Sequence, residues 1–540
     1  MTKTLRNFIT ALLLFALLIV PCVSIAAPVS AAEARADVIN VFSWEDYIDV
    51  DILDEFTDET GIKVNYYTFA TNEEMYNEIL KDPKSCDLAC PSEYMIMKMM
   101  KEDLIKSYEM PQSYIDFGSR YIKNVFDELD INQADGTTYA IGYMWGTMGN
   151  VYNTDKVDAE DLTAWKGLLN RKYKGKITIK DSVRDSYIMA LAIVYEEELN
   201  AIKTLPAGEY ETKIAEIFNR TDDETIKKVK DVLTELKQNL YGFEVDSGKS
   251  DILTGKIDIN FAWSGDAVYS MDEGDAAGVN LSYIVPEEGS NVWFDGWVMP
   301  KAASTAAATE FLDFLSRPEN AVRNMEYIGY TSCVAGDEVF DYVVDSYGAE
   351  QTFTVYSEEE KAQLIEDEEY AESDFAAYGD GYAVIDTYGS LIEEDGVYYL
   401  DAYEFTEDGE YVYVGKTEVY PVDLKYFFDP DCTDDTYVVY SLETGRQLYA
   451  QYSDEETINR CAVMQDFSDD ALIKVNEMWN TVKLITMPVW LIIVIVAAIV
   501  IIIVLAILYK FKDKIIVKKV PEKQKAKDTG DLTEVSRKRL

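Results

Sequence analysis

The segment between residues 38 and 105 alternates regularly between strand-like and helix-like patterns, and this order restricts the fold more than any other feature. Short apolar, β-branched runs predict three strands, at 38–42, 62–68 and 86–90. Apolar residues at helical spacing follow these runs and predict three helices, at 51–60, 73–80 and 94–105. Asn72 is the predicted N-cap of the second helix. The alternation predicts an α/β fold with a mostly parallel sheet, in which ligands bind beyond the carboxyl ends of the strands.

The alternation continues after a long extended segment at 139–152. The later strands are predicted at 176–180, 257–262, 280–285 and 296–299, and the later helices at 188–195, 225–239, 306–315 and from Pro318. A chain of 540 residues is too long for one core. We therefore expect two α/β lobes, one at 37–148 continued at about 296–345 and one at 149–295 continued at about 450–484.

Residues 352–449 differ in character, because Tyr, Asp and Glu dominate and helical spacing disappears. A short acidic helix is predicted at 358–372, and alternation predicts strands at 397–405, 410–414, 437–441 and 446–452. We interpret the segment as a β-rich acidic insertion. The segment holds four neighbouring aspartates that could bind calcium: Asp429, Asp431, Asp434 and Asp435. The glycine of a calcium-binding loop is missing, so a solvated acidic turn is the favoured interpretation.

The two ends of the chain predict export and anchoring. Lys3 and Arg6 precede an apolar run and small residues, which is typical of a secretory signal peptide at 1–32. Residues 487–509 are almost wholly apolar and long enough for a transmembrane helix. The tail at 510–540 carries 11 Lys and Arg against 5 Asp and Glu, and basic flanks stay cytoplasmic. We expect a single-pass cell-membrane protein with an extracytoplasmic ectodomain.

Charge and the missing histidines exclude several functions. The formal net charge is −50, so no nucleic-acid partner is expected, because nothing basic is available to replace phosphate counterions. The charge permits a cationic ligand, and it equally serves the solubility of an exported protein. Since the chain has no histidine, Ser-His and Cys-His catalysis and His-containing zinc sites are excluded. We expect neither a metal nor a cofactor, and a two-carboxylate enzyme stays an alternative.

The cysteines do not predict a disulfide scaffold. Cys22 belongs to the leader, and the other five are odd in number and unevenly spaced. Cys86 and Cys90 share one extended segment, in which they are too far apart to bridge. A bridge between Cys432 and Cys461 is left open.

The candidate binding residues centre on the segment 291–300, NVWFDGWVMP, where Trp293 and Asp295 lie close to a predicted turn at Gly296. An aromatic face beside a carboxylate can hold an organic cation, because the ring quadrupole attracts the cation and the carboxylate pairs with it. A lone Trp is more often a core residue, and a lone Asp can cap a turn. Four further strand ends repeat the combination and favour a cation site, at 44–47, 92–94, 182–185 and 263–266.

Seven short motifs occur in order along the chain, at 42–47 (FSWEDY), 59–64 (ETGIKV), 90–94 (CPSEY), 143–146 (YMWG), 263–266 (WSGD), 293–295 (WFD) and 328–330 (IGY). Together they resemble the bacterial spermidine/putrescine-binding proteins, which are extracytoplasmic receptors of polyamine ABC transporters. The similarity covers about 38–348 and resumes at about 451–479. It implies a two-lobed periplasmic-binding-protein-like receptor that is not an enzyme and that delivers its ligand to an ABC permease.

The resemblance also implies a role for each matching residue. The first lobe would supply aromatic and polar contacts, and the second would supply carboxylates for the amines and rings for the methylene chain. The implied ligand-binding residues are Trp44, Tyr47, Ser92, Tyr94, Asp185, Trp263, Asp266, Trp293, Asp295 and, from a late glutamine, Gln465.

Two departures from the family pattern bear on specificity. Spermidine-binding members carry an acidic residue at the position of Ser182, and a serine at the position of Asp266, where putrescine-type members carry aspartate. Discrimination between polyamines is therefore expected to depend on Asp185, Asp266 and Asp295. Two rival functions stay open: a surface-anchored carbohydrate-binding or glycoside-acting protein, since Trp with paired carboxylates is also sugar chemistry, and an adhesion protein that works through the insertion.

Overall fold

The computed structural model describes residues 36–349, 355–366, 375–378, 381–384, 391–405, 411–442, 445–484 and 501–505. The described residues up to 482 form one compact unit. Residues 501–505 are helical. Among the described residues, no helix combines the length and the apolar character needed to cross a membrane. The predicted leader at 1–32, the tail at 510–540 and most of the predicted span at 487–509 lie outside the described residues.

The first part of the chain follows the predicted alternation. Its elements are β1 (Val38–Trp44), α1 (Asp51–Thr60), β2 (Lys63–Phe69), α2 (Asn72–Lys81), β3 (Leu88–Ala89), α3 (Glu93–Lys101), β4 (Ile105–Lys106), β5 (Tyr108–Glu109), α4 (Gln112–Phe117), α5 (Arg120–Glu128) and β6 (Thr137–Thr138). Helix α1 buries Ile52 and Phe56 on one face and ends at Gly61, whose φ of 76° is the left-handed conformation that glycine adopts without steric cost.

The middle of the chain is built around two long buried strands. These are β7 (Ala140–Asn153) and β12 (Val292–Pro300), and every residue of both is buried. Between them lie three 3₁₀ turns (Ala159–Leu162, Trp165–Leu169 and Arg171–Tyr173), β8 (Ile177–Lys180), α6 (Val183–Val194), α7 (Glu196–Ile202), α8 (Ala207–Phe218), α9 (Asp223–Lys237), β9 (Leu240–Glu244), α10 (Gly248–Leu253), β10 (Ile259–Trp263), α11 (Ser264–Ala277) and β11 (Leu281–Ile284). After β12 come α12 (Thr305–Leu315), α13 (Pro318–Ile328), β13 (Thr331–Ser332) and α14 (Asp337–Tyr347).

The remainder contains the acidic segment and the return to helix. Its elements are β14 (Val355–Tyr356), α15 (Glu358–Glu366), β15 (Phe375–Tyr378), β16 (Gly381–Val384), β17 (Leu391–Glu394), β18 (Val397–Phe405), β19 (Tyr411–Asp423), α16 (Lys425–Phe428), β20 (Val438–Leu442), α17 (Arg446–Gln451), α18 (Glu455–Asn459) and α19 (Asp469–Lys483). Strands β14 to β16 form one small sheet and β17 to β20 another. Asp431, one of the four neighbouring aspartates, pairs with Arg120 at 2.6 Å on the surface.

The main sheet runs in the order β2-β1-β3-β12-β7-β10-β8-β9. Strand β1 is parallel to β2 and β3, and β8 is parallel to β9 and β10, whereas β12 and β7 pair antiparallel in the middle. The predicted lobe boundaries at 148/149 and 295/296 fall inside these two central strands. Residues that follow β1, β8 and β10 lie at carboxyl ends of parallel strands, where α/β sheets place ligands.

Three local predictions are wrong. The turn predicted at Gly296 is instead part of the continuous strand β12, which bulges between Asp295 and Gly296. Gly296 allows close approach, because a Cβ there would lie 2.9 Å from the Ile141 carbonyl oxygen. Thr71, and not Asn72, caps α2, since the Thr71 hydroxyl accepts from the Glu74 N–H. The predicted strand at 446–452 is the helix α17, which begins after Gly445 in the left-handed region.

The bridge left open between Cys432 and Cys461 does not form. Cys86, Cys90, Cys333, Cys432 and Cys461 are all free thiols. Cys461 is buried and its thiol donates to the Thr457 carbonyl oxygen at 3.2 Å, whereas Cys432 contacts Asp434 in an exposed turn. Each thiol therefore has a local polar partner instead of the other sulfur.

Candidate functional site

Asp295 lies at the bulge in β12, in the middle of the main sheet. It is only 6% exposed, and its Oδ2 accepts a hydrogen bond of 2.7 Å from the Tyr47 hydroxyl. Its Oδ1 is buried and forms no hydrogen bond to any residue that the structure describes. Since a buried anion is costly unless it is paired, this carboxylate is an incomplete site for a positive charge.

Aromatic rings enclose the Asp295 carboxylate. The Tyr47 ring meets Tyr143 and Tyr330 edge-on, with centroid distances of 5.5 and 5.8 Å. The Trp293 ring lies 5.5 Å from Tyr330, and its indole N–H is buried without a partner among the described residues. These rings exclude water and present the aromatic faces that attract organic cations.

Asn72 organises the polar side of this region from the first turn of α2. Its amide nitrogen donates to the Ser92 hydroxyl at 3.1 Å and to the Tyr94 hydroxyl at 2.9 Å, and its oxygen accepts from the Ser92 N–H. Ser92 itself bridges Asp295 through the backbone. Because Thr71 caps the helix, the Asn72 side chain is available to hold Ser92 and Tyr94 beside β12.

Asp185 enters the same region from the first turn of α6. Ser182 caps this helix, and its hydroxyl accepts from the Asp185 N–H at 3.4 Å. The guanidinium of Arg184, one residue earlier, stacks on the rings of Tyr94 and Phe467 at 4.5 and 3.6 Å. The cap thus fixes the start of the helix, and with it the positions of the carboxylate and of its neighbouring cation.

Asp266 lies at the start of α11 and is already paired within the protein. Its Oδ2 lies 2.8 Å from the Lys180 ammonium, and its Oδ1 accepts from the Tyr330 hydroxyl at 3.0 Å. The Lys180 ammonium also lies 3.1 Å from Glu244 and 4.2 Å from the Trp263 ring centroid. The predicted ligand carboxylate and the predicted stacking ring therefore both contact an internal lysine.

Burial shifts the ionisation of the acidic groups. It raises the pKa of Asp295 to about 6, against the hydrogen bond from Tyr47 and the stabilising influence of the nearby Ser92 hydroxyl, and the nearby Asp185 raises it further. Burial also raises the pKa of Asp185 and takes that of Glu93, whose Oε2 accepts from the Phe294 N–H, to about 8. Burial alone lowers the pKa of Lys180, but Asp266 and Glu244 raise it above its ordinary value.

Three predicted residues lie at the margin of this cluster. Trp44 is half-buried and packs on Phe69 with ring centroids 4.6 Å apart. Tyr94 contributes its ring to Arg184, as described above. Gln465 is exposed, and its contact with the cluster is made by its backbone carbonyl, which accepts from Arg184 at 2.5 Å.

Sequence reasoning missed five residues of the cluster. Two of them could have been found from the sequence. Tyr330 is the last residue of the matching motif at 328–330, and Lys180 is the last residue of the strand predicted at 176–180. The other three are buried and polar, a property that only packing reveals: Asn72, Glu93 and Glu244.

The chain belongs to the family of bacterial extracellular solute-binding proteins, whose family model matches residues 51–336, just over half of the chain. This membership confirms the prediction of a binding protein and not an enzyme. The predicted resemblance is also confirmed. The chain is 28% identical over 313 residues to the spermidine/putrescine-binding periplasmic protein of Salmonella typhimurium. The alignment covers 57% of this chain and 81% of that protein.

Two further comparisons agree. A putrescine-binding periplasmic protein of Escherichia coli is 26% identical over 317 residues, covering 57% of this chain and 80% of that protein. A solved spermidine/putrescine ABC transporter structure from Listeria monocytogenes is 20% identical and covers 83% of this chain and 99% of that one, with a TM-score of 0.51. This likeness confirms the predicted α/β periplasmic-binding-protein-like fold.

Proposed function

We propose that the protein is an extracellular receptor for a linear polyamine, putrescine or spermidine, which it delivers to an ABC transporter permease. The observation that carries the proposal is Asp295, a buried carboxylate inside a ring of aromatic side chains, one oxygen of which has no partner among the residues that the structure describes. A protonated amine supplies the missing partner, and the rings of Trp293, Tyr330 and Tyr47 cover the attached methylene groups.

The balance of charge supports a cation over a neutral or anionic solute. Asp185 and Asp295 are both buried and interact with each other unfavourably when both are ionised. An amine bound beside them relieves this repulsion and the cost of burial, whereas a neutral sugar relieves neither. The names of the relatives, which bind spermidine or putrescine, support the same class of ligand.

The proposal includes two lobes that close on the ligand. They are residues 37–148 with about 296–345, and residues 149–295 with about 450–484, and the central strands β7 and β12 would form the hinge. Tyr47 and Arg184 support closure, since Tyr47 of the first lobe bonds Asp295 of the second and Arg184 of the second stacks on Tyr94 of the first. Closure excludes water and presents the form that a permease recognises.

We further propose that the receptor is held at the outer face of the cell membrane. The support is the apolar segment at 487–509 and its basic tail, together with the leader at 1–32. A tether keeps the receptor close to its permease. We place no ligand contact in the β-rich insertion at 352–449.

Calorimetric titration of the purified protein with putrescine, spermidine, spermine and a neutral sugar tests the proposal. We expect saturable binding of a polyamine at micromolar or tighter affinity and none of the sugar. The matched variants are Asp295→Asn, which removes the charge at the site, and Asp313→Asn, which removes a carboxylate on α12 that bonds the Ser113 N–H. Equal binding by both variants, or no polyamine binding by the natural protein, would refute the proposal.

A further inference from the structure

The Lys180 ammonium is surrounded by the chemical groups that a bound amine needs. Its side chain is 1% exposed, and its Nζ lies 2.8 Å from Asp266, 3.1 Å from Glu244 and 2.8 Å from the Val245 carbonyl oxygen. The face of the Trp263 ring covers it at 4.2 Å. Two carboxylates and an aromatic face around one ammonium are the arrangement expected for a ligand amine.

We propose that Lys180 is a built-in ammonium that occupies one cation position of the binding site and thereby selects a diamine over a triamine. The inference rests on the proposed function and concerns its specificity. Lys180 takes the position at Trp263 and Asp266 that a third amine of spermidine would need. A diamine needs only the carboxylates of Asp295 and Asp185, whereas the ion pairs of Lys180 are with Asp266 and Glu244.

The hydrogen bonds of Asp266 support this division. The Lys180 ammonium pairs with the Oδ2 of Asp266, and the Tyr330 hydroxyl donates to its Oδ1. The Lys249 ammonium lies 3.7 Å from the same Oδ1. Asp295, by contrast, keeps Oδ1 without a partner among the described residues. A second ammonium brought to Asp266 would have to displace Lys180 or lie beside it, and two like charges in a buried space repel strongly.

The two halves of the site are adjacent, so the length of the ligand matters. The Tyr330 ring contacts Tyr47 and Trp293 beside Asp295, while its hydroxyl reaches Asp266. Asp185 begins α6 shortly after Lys180, which ends β8. A ligand that extends from Asp295 past Tyr330 toward Asp266 therefore meets the lysine.

The test replaces Lys180 by an uncharged residue of similar length and compares two ligands. Full-length protein and its Lys180→Met variant are titrated calorimetrically with putrescine and spermidine. We expect the natural protein to favour putrescine at least tenfold and Lys180→Met to shift the ratio toward spermidine at least tenfold. Lys180→Arg, which keeps the cation, should retain the preference for putrescine.

A matched control removes a lysine that lies away from the cluster. Lys256 pairs with Asp251 at 2.6 Å and its side chain is 55% exposed, so Lys256→Met should leave the ratio unchanged. Because Lys180→Met removes the ion pair of Glu244 and leaves Asp266 with only the more distant Lys249, Lys180→Met/Glu244→Gln is titrated as well. If these variants are unfolded without ligand, the thermal unfolding midpoint is measured in the presence of each polyamine. It should be higher with spermidine than with putrescine.

The outcomes separate the inference from the function on which it rests. An unchanged ratio in Lys180→Met and in Lys180→Met/Glu244→Gln, or equal thermal shifts of these variants with the two ligands, overturns the role of Lys180 and leaves polyamine capture standing. A natural protein that binds no polyamine overturns the proposed function and this inference with it. A shifted ratio in Lys256→Met as well would mean that total charge, and not the position of Lys180, sets the preference, and would also overturn the inference.

Discussion

At the scale of single residues, Asp295 links stability to binding. Its carboxylate is held between aromatic rings, one of its oxygens has no partner in the described part of the chain, and burial raises its pKa. A group in that state destabilises the ligand-free protein when it is ionised and becomes favourable only when a cation arrives. The same residue should therefore have opposite effects on folding and on ligand capture.

Replacing Asp295 by Asn separates these two effects. We expect the variant to bind polyamine at least tenfold more weakly, a loss of about 1.4 kcal/mol or more, because the paired charge is gone. The ligand-free variant should be more stable than the natural protein at pH 8, by on the order of 1 to 3 kcal/mol, because no buried charge has to form. Calorimetry and urea unfolding measure the two quantities. A variant that loses stability and keeps its affinity would contradict this account.

The pH dependence follows from the same group. The pKa of Asp295 is raised in the folded protein to about 6 from the ordinary 3.8, so its contribution to ligand-free stability is present below about pH 4 and is lost as pH rises through 6. Binding has the opposite sign, because an amine pairs only with the ionised form. We expect affinity to fall by up to tenfold per pH unit between pH 6 and 4.5. Titrations across pH 4.5 to 7.5 measure this, and Asp295→Asn should show a flatter profile; an equally steep profile in that variant would assign the effect elsewhere.

At the scale of secondary-structure elements, the start of α11 holds the site together. The helix begins directly after β10, so that Trp263, Gly265 and Asp266 lie within one turn. A Cβ at Gly265 would lie 1.4 Å from the Tyr330 ring. The glycine therefore permits the ring of Tyr330 to cross the helix start and to bond Asp266.

Gly265→Ala tests this contact between elements. The added methyl must displace the Tyr330 ring, which breaks its bond to Asp266 and opens the aromatic enclosure, so we expect polyamine affinity to fall at least tenfold. Gly208→Ala is the control, because Gly208 also lies in a helix and a Cβ there meets nothing within 4 Å. The measurement is calorimetric titration with circular dichroism as a check on folding. Equal affinities of the two variants would show that the close approach of Tyr330 is not needed.

At the scale of the whole molecule, the acidic insertion belongs partly to the main core. Leu424, Phe427 and Phe428 lie in the principal hydrophobic cluster, and the Phe427 ring stacks on Trp145 of β7 at 5.4 Å. The strands β17 to β19 bury a separate small cluster with Ala349 and Tyr440. The predicted boundary at 352–449 therefore cuts through the main core.

Two deletions distinguish the separable part from the integral part. Replacing residues 350–418 by a Gly-Ser linker joins two segments that pair with opposite edges of β20 and so lie roughly 10 Å apart. We expect this variant to bind polyamine within about threefold of the natural protein, because the main core remains. Deleting 352–449 removes Phe427 and Leu448 as well and should unfold the protein. Thermal unfolding and titration measure both, and a stable 352–449 deletion would contradict the assignment of these residues to the core.

The sequence by itself determined the features that depend on local pattern and composition. Alternation predicted the α/β fold, α1 and α13 begin as predicted, and the aromatic residues and carboxylates at 44–47, 263–266 and 293–295 were found without any structure. The negative charge permitted a cationic ligand, and the missing histidines excluded histidine-dependent catalysis. These predictions could be made from the sequence because each depends on composition or on residues that are close together in the chain.

The tertiary structure decided which of these residues are available to a ligand. Tyr47 and Asp295 are 248 positions apart, and Lys180 and Asp266 are 86 apart, yet both pairs are hydrogen-bonded. No local pattern could indicate that Asp266 pairs with an internal cation while one oxygen of Asp295 has no partner within the described ranges. Pairing and burial arise only when distant strands meet, and they set the electrostatic state of each carboxylate because desolvation depends on everything packed around it.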